Sequence, residues 1–161
     1  MVTIKNLNVE PVQYTFYNIE VGTFFMTLDG KLQLKTTMES AYDFDFDATI
    51  DIFSDFAVQV KDVSINVIER GKTEEKLVMG NSRVIIREGK SRESRFNRMS
   101  TGQFFYFPNY YKKYGLCLMT YSKDNQFFSF VKCKETSLGI RNRNEFVRPV
   151  DIEIVVNNFK R

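Results

Sequence analysis

The chain has 161 residues, 43% of them hydrophobic and 15% aromatic, with sixteen Phe, eight Tyr and no Trp. That supplies a core for one domain or two small ones, and rings of this kind pack best on the pleated face of a strand. The formal net charge is +3 and there is no His, which removes the commonest general base, metal ligand and pH switch together; three Pro and eight Gly exclude a long Pro- or Gly-rich linker.

In chain order, residues 1–11 read as an added strand or arm. The first residues, Met1 to Asn6, lack an apolar stretch of signal length, and no run approaches the roughly 18 apolar residues that span a bilayer. A cytoplasmic protein is therefore expected. Next comes Phe16-Tyr17-Asn18-Ile19-Glu20-Val21-Gly22-Thr23-Phe24-Phe25, with room for a short helix or turn before Gly22. Asp29-Gly30 is a two-residue hairpin signal, and Leu32-Gln33-Leu34-Lys35-Thr36 follows as an alternating strand. Tyr42, Phe44, Phe46 and Ala48 then alternate with Asp43, Asp45 and Asp47. As a strand this segment places three carboxylates on one face about 7 Å apart. Such an acidic face suits a basic partner. It lacks the Gly and Glu of a calcium loop at the sixth and twelfth places, where Ala48 and Ser54 stand, so no metal is assigned to it. Val58 to Val67 closes the first half, and Val84-Ile85-Ile86 is strand-prone within residues 71–94.

The second half begins by resembling the first. Phe96-Asn97-Arg98-Met99-Ser100-Thr101-Gly102-Gln103-Phe104-Phe105 matches the earlier segment when Gly102 is set on Gly22. Leu116-Cys117-Leu118-Met119-Thr120 then matches Leu32 to Thr36, with about four extra residues supplied by Pro108-Asn109-Tyr110-Tyr111-Lys112-Lys113. Lys123-Asp124-Asn125 reads as a turn, Phe128 and Phe130 alternate with Ser129, and Val147 to Val156 lies over Val58 to Val67. Both glycines are assigned a structural role, a positive φ or a bulge at a strand start. Cys117 and Cys133 are expected to be reduced residues of the core or of strands. The period of two throughout marks antiparallel sheet with one buried face. The expected fold class is mainly β, with two tandem small antiparallel β-barrel-like modules related by internal duplication. An acidic module with its N-terminal arm spans 1–70, a basic connecting segment 71–94 and a basic module 95–161.

The pattern Val21-Gly22-x-Phe24 followed by Leu32-x-Leu34-Lys35-Thr36 and a Val-rich closing strand resembles short uncharacterised proteins of tailed-phage genomes. The resemblance covers most of 16–68 and, more loosely, 96–156, where Met119 stands in the lysine position. It implies a viral source, with the cytoplasm of an infected bacterium as the setting, and a small-barrel fold. It implies no activity.

Residues 1–80 hold seven Lys and Arg against thirteen Asp and Glu; residues 81–161 hold sixteen against seven. Arg83, Arg87, Arg92, Arg95 and Arg98 run into an aromatic stretch that contains Tyr110, Tyr111, Lys112 and Lys113, and Arg141, Arg143 and Arg148 add to the basic side. Cations that meet phosphates, interleaved with rings that stack on bases, are how single-stranded nucleic acid is held. The same pattern also fits a core of Phe104, Phe105 and Phe107 with tyrosines along a hairpin and arginines on a solvated face. No phosphate-binding loop, dinucleotide turn or Cys-x-x-Cys occurs, and a Ser or Cys nucleophile has no His to activate it. The expectation is a non-enzymatic, phage-encoded binding protein without cofactor, acting on nucleic acid or a nucleoprotein complex in the host. Two alternatives are an inhibitor of a host protein such as a defence factor, working through Asp43, Asp45 and Asp47, and a virion or assembly component that associates head to tail through its acidic and basic modules.

Overall fold

A computed structural model describes residues 13–69, 75–79, 82–88, 94–138 and 143–157, with side chains over 14–67, 94–138 and 143–156. Fifteen strands are described. In the first half they are β1 (Gln13–Thr15), β2 (Phe24–Thr27), β3 (Leu32–Lys35), β4 (Ser40–Asp43), β5 (Ala48–Asp51), β6 (Ala57–Val60) and β7 (Asp62–Glu69). Next come β8 (Glu75–Met79) and β9 (Ser82–Glu88). The second half has β10 (Ser94–Arg95), β11 (Phe104–Tyr106), β12 (Cys117–Tyr121), β13 (Gln126–Ser129), β14 (Lys134–Ser137) and β15 (Phe146–Asn157). Turns of 3-10 helix follow β1 (Phe16–Asn18) and β10 (Phe96–Arg98), at the places where a short helix or turn is expected. The molecule is mainly β.

The sheets are open. The first runs β1-β6-β2-β3-β4-β5, and no pairing closes β5 onto β1 among the described residues. This corrects the expectation of barrel-like modules. A single sheet closes on itself to cover its own apolar face; here each sheet covers its inner face with the other one. The second half runs β10-β15-β11-β12-β13-β14, the same order strand for strand, inside a nine-stranded sheet that continues through β7, β9 and β8. The registers agree as well. Phe24 lies opposite Leu34 and Phe104 opposite Leu118; Leu34 opposite Tyr42 and Leu118 opposite Phe128; Asp43 opposite Ala48 and Ser129 opposite Lys134; Thr15 opposite Ala57 and Arg95 opposite Phe146. One ladder departs from antiparallel pairing: β7 and β9 run parallel.

The β7–β15 ladder pairs matching positions of the two halves. On the sequence alignment Ile65 corresponds to Ile154, and these two residues pair with each other across the β7–β15 ladder. Val63 pairs with Val156 and Val67 with Ile152, which are corresponding pairs. The central apolar cluster draws Phe24, Leu34 and Tyr42 from the first unit and Phe104, Leu118 and Phe128 from the second. At its middle the rings of Phe24, Phe44, Phe104 and Phe130 form a closed quartet, with neighbouring centroids 5.9 to 6.4 Å apart and ring planes within 21°. Such near-parallel aromatic contacts add about 0.5–1.5 kcal/mol each beyond the area they bury. Each unit also has an outer cluster under its own 3-10 turn, around Phe16, Phe25 and Val58 in the first and around Phe96, Phe105, Phe107 and Phe127 in the second. Burying both faces explains how so many rings are accommodated in so short a chain.

Gly22 and Gly102 lie in the turns that lead into the corresponding strands β2 and β11, with φ of +93° and +94°. Each also touches the other unit. A Cβ on Gly22 would lie 2.5 Å from Cys133 Sγ, and one on Gly102 would lie 2.8 Å from the Tyr42 hydroxyl and 3.0 Å from Asp47 Oδ1. Cys133 and Asp47 occupy corresponding turns, with left-handed φ of +52° and +48°. The glycines therefore serve both backbone geometry and close approach. Both cysteines are free; Cys117 is buried in β12, whereas Cys133 lies in a turn rather than in a strand.

Several local expectations change. The Asp29-Gly30 hairpin has a three-residue loop, Leu28-Asp29-Gly30, closed by the Thr27 N–H on the Lys31 carbonyl at 3.0 Å, with Gly30 at φ +86°. The extra length of the β11–β12 hairpin forms a 3-10 turn (Pro108–Tyr110) and one helical turn, α1 (Tyr111–Tyr114). Asp43 to Asp47 is not a strand with a carboxylate ladder. β4 ends at Asp43 and residues 44–47 turn. The Asp43 carboxylate is buried and accepts hydrogen bonds from the Asp45 and Phe46 N–H groups at 2.9 and 3.2 Å and from Gln33 Nε2 at 2.8 Å. An Asp that satisfies backbone donors two and three residues on stops a strand and starts a turn.

Candidate nucleic-acid interface

The second unit's outer cluster is capped by three segments: the 3-10 turn Phe96–Arg98, the loop that enters β15, and the β11–β12 insertion. Phe96 packs on Phe107 at 5.6 Å, and Asn109 Nδ2 donates to Glu145 Oε1 at 3.0 Å, which ties the insertion to the loop. Asn97 Nδ2 donates to Asn144 Oδ1 at 2.9 Å and ties the turn to the same loop. Arg95, Arg98, Lys112, Lys113 and Arg143 are exposed on this cap. Five cations thus surround one set of hydrogen-bonded segments.

Arg95 has the best-defined geometry. Its Nη1 donates to the Asn144 carbonyl at 2.9 Å, and its guanidinium lies 3.5 Å over the Phe146 ring, its cross-strand partner. Phe146 is 43% exposed. A guanidinium held over a ring offers its remaining N–H groups to phosphate and can share a base with the ring beneath it. No local pattern points to this pair, because the two residues are far apart in the chain and meet only through the β10–β15 register.

The tyrosines divide. Tyr110 is 39% exposed and stands edge-on to Phe107 and Tyr114. Tyr111 is half-buried, packs edge-on against Tyr106 at 5.3 Å and leans on the central cluster, so it is not a free stacking platform. Phe104, Phe105 and Phe107 are core. The Lys113 and Lys132 ammonium groups lie 5.1 and 4.9 Å from the centre of the Tyr114 ring. Arg148 is half-buried and donates to the Tyr106 hydroxyl at 3.1 Å, which removes it from the exposed basic set. Arg83 and Arg87 lie in β9 four residues apart, hence on one face of that strand, but their side chains are outside the described residues, as are Arg92 and Arg141 altogether.

In the first unit the corresponding positions carry no cations. Thr15 stands for Arg95, Asn18 for Arg98 and Ala57 for Phe146, and the β2–β3 hairpin has no counterpart of Lys112 and Lys113. The acidic residues are dispersed: Asp43 is buried, Asp47 accepts from the Tyr42 hydroxyl at 3.2 Å, and Asp45 and Asp47 are exposed on the turn. Burial of the ring, then the Asp47 charge and this hydrogen bond, raise the Tyr42 hydroxyl's pKa well above its usual value. Among the described residues no three His, Cys, Asp or Glu side chains are grouped to hold a metal ion, and no helix is long and apolar enough to cross a membrane. Compared with protein-family models, curated proteins and solved structures, the chain finds no match.

Proposed function

We propose that the chain is a non-enzymatic binding protein that holds single-stranded nucleic acid on the basic cap of its second unit. One observation carries this reading: on two units of the same strand order and register, the exposed positions of one cap bear Arg95, Arg98, Lys112 and Lys113, while the other cap has neutral residues or no equivalent. Charge placed on one of two matching scaffolds is not needed for folding, and phosphate recognition accounts for it. Arg95 on Phe146 supplies a stacking face, and Tyr110 a second, smaller one. The matching registers support an origin by internal duplication, with later divergence of the surface. The resemblance to tailed-phage proteins supports an infected bacterial cytoplasm as the setting.

Fluorescence anisotropy with labelled single-stranded RNA and DNA over a salt titration tests the proposal. Log affinity should fall linearly with log salt, with a slope of about −0.7 per phosphate contacted. Arg95→Glu with Lys112→Glu should flatten that slope. Binding that does not respond to salt, or no binding at low salt, refutes the reading.

A further inference from the structure

The corresponding end of the first unit has a different character. There the Ile52 N–H donates to the Glu39 carbonyl at 2.6 Å, so Met38 and Phe53 stand on adjacent segments. The Tyr17 hydroxyl reaches the Ile52 carbonyl at 3.4 Å, and the Tyr17 N–H donates to Asp55 Oδ1 at 3.0 Å. The three apolar side chains are 38% (Tyr17), 62% (Met38) and 91% (Phe53) exposed. Single exposed apolar groups are ordinary, but a Phe held almost wholly in water, on segments hydrogen-bonded to those of an exposed Met and Tyr, is the sort of grouping that marks an interaction surface. The carboxylates of Glu39, Asp51 and Asp55 are exposed around it.

The two ends occupy equivalent places. Asp55 accepts from the Tyr17 N–H in one unit, and Asn144 accepts from the Asn97 side chain in the other. One end is apolar with an acidic rim; the other presents Arg95 on Phe146, with Arg98 and Arg143 alongside. The chain therefore carries both halves of a complementary pair. We propose that the Phe53 end of one copy docks on the Arg95 end of a second copy. Phe53 and Met38 lose their contact with water against the Phe146 platform, and the rim carboxylates face the guanidinium groups.

The contact joins unlike surfaces, so it is heterologous and leaves one end of each kind open on every pair. Growth proceeds into short chains instead of stopping at a symmetric dimer. The apolar part of the contact is three side chains on one end, against roughly 20–30 residues a side in a standard interface, so the association is weak and depends on concentration. Its charged rim makes it sensitive to salt. Bound nucleic acid occupies the same basic end and competes with it.

Sedimentation velocity across a concentration series at low and high salt, without nucleic acid, tests the proposal. The weight-average mass of the full chain should rise with concentration at low salt and fall back when salt is added. Phe53→Ser, at a position too exposed to affect folding, should be monomeric and should still bind single-stranded nucleic acid. Arg95→Glu should also be monomeric. Mixing the two variants restores one functional contact and should produce one-to-one complexes that grow no further. A full chain that stays monomeric throughout, a Phe53→Ser variant that still assembles, or a mixture that forms no complex each overturns the proposal without bearing on nucleic-acid binding.

Discussion

Replacing either glycine of the Gly22/Gly102 pair with Ala tests how tightly the two units are pressed together. At Gly102 an alanine must adopt φ +94°, which costs a non-glycine residue about 1–2 kcal/mol. Its Cβ must also displace the Tyr42 hydroxyl, 2.8 Å away, and Asp47 Oδ1, 3.0 Å away, and overpacking of this kind costs about 1–3 kcal/mol. The sum of about 2–5 kcal/mol lowers the melting temperature by roughly 4–20 °C for a chain of this size. Removing the hydroxyl with Tyr42→Phe relieves one of the two contacts. The Gly102→Ala/Tyr42→Phe double variant should therefore be about 1 kcal/mol more stable than the sum of the single changes predicts. The Gly22→Ala/Cys133→Gly cycle should show stronger coupling. Cys133→Gly removes the sulfur 2.5 Å from the new methyl, and glycine also suits the left-handed φ of +52° at that position. Urea unfolding of the four members of each cycle gives the coupling directly. Additivity within about 0.5 kcal/mol in both cycles would refute this account of the seam.

Lys35 is fully buried: its ammonium donates to the Phe16 and Ile19 carbonyls at 2.9 Å each, and burial lowers its pKa, partly offset by Asp55. The second unit has Met119 in its place and closes the turn with the Met99 N–H on the Phe96 carbonyl. Lys35→Met leaves the Phe16 and Ile19 carbonyls without this donor and should cost about 1–3 kcal/mol in thermal unfolding at pH 7, and Lys35→Ala should cost more through the added cavity. A depressed folded-state pKa means that stability is lost as pH falls through it, so Lys35→Met should also flatten the alkaline side of the stability–pH profile. Glu135 shifts the other way: burial chiefly raises its pKa, Thr120 opposes that by a hydrogen bond, and Asp51 across the seam adds to it. Its stabilising contribution is complete below the ordinary glutamate range, near about pH 4, and is lost as pH rises through the higher folded-state value. Glu135→Gln should therefore flatten this part of the profile in unfolding measured across acidic pH, and an unchanged profile would show that Glu135 does not titrate there.

The period-two alternation, the two matching segments, the special role of Gly22 and Gly102 and the unequal charge of the halves all follow from the amino-acid order, because each depends on residues close in sequence or on matching patterns within the chain. Alternation reports which side chains share a face of a strand; it says nothing of what covers that face. Only the tertiary structure decides that the inner faces cover each other, which leaves the sheets open. The same limit applies to single residues. Asp43 reads as an exposed acid until its carboxylate is seen to satisfy a turn, and nothing near Lys35 in the chain announces that its ammonium is buried on the carbonyls of a 3-10 turn and its cap. Tyr111 reads as a stacking group until Tyr106 takes its ring, and the Arg95 and Phe146 pair depends on strand register between distant segments. Local sequence carries propensity and polarity, whereas burial and pairing at long range depend on how all the strands are arranged, which no short segment encodes by itself.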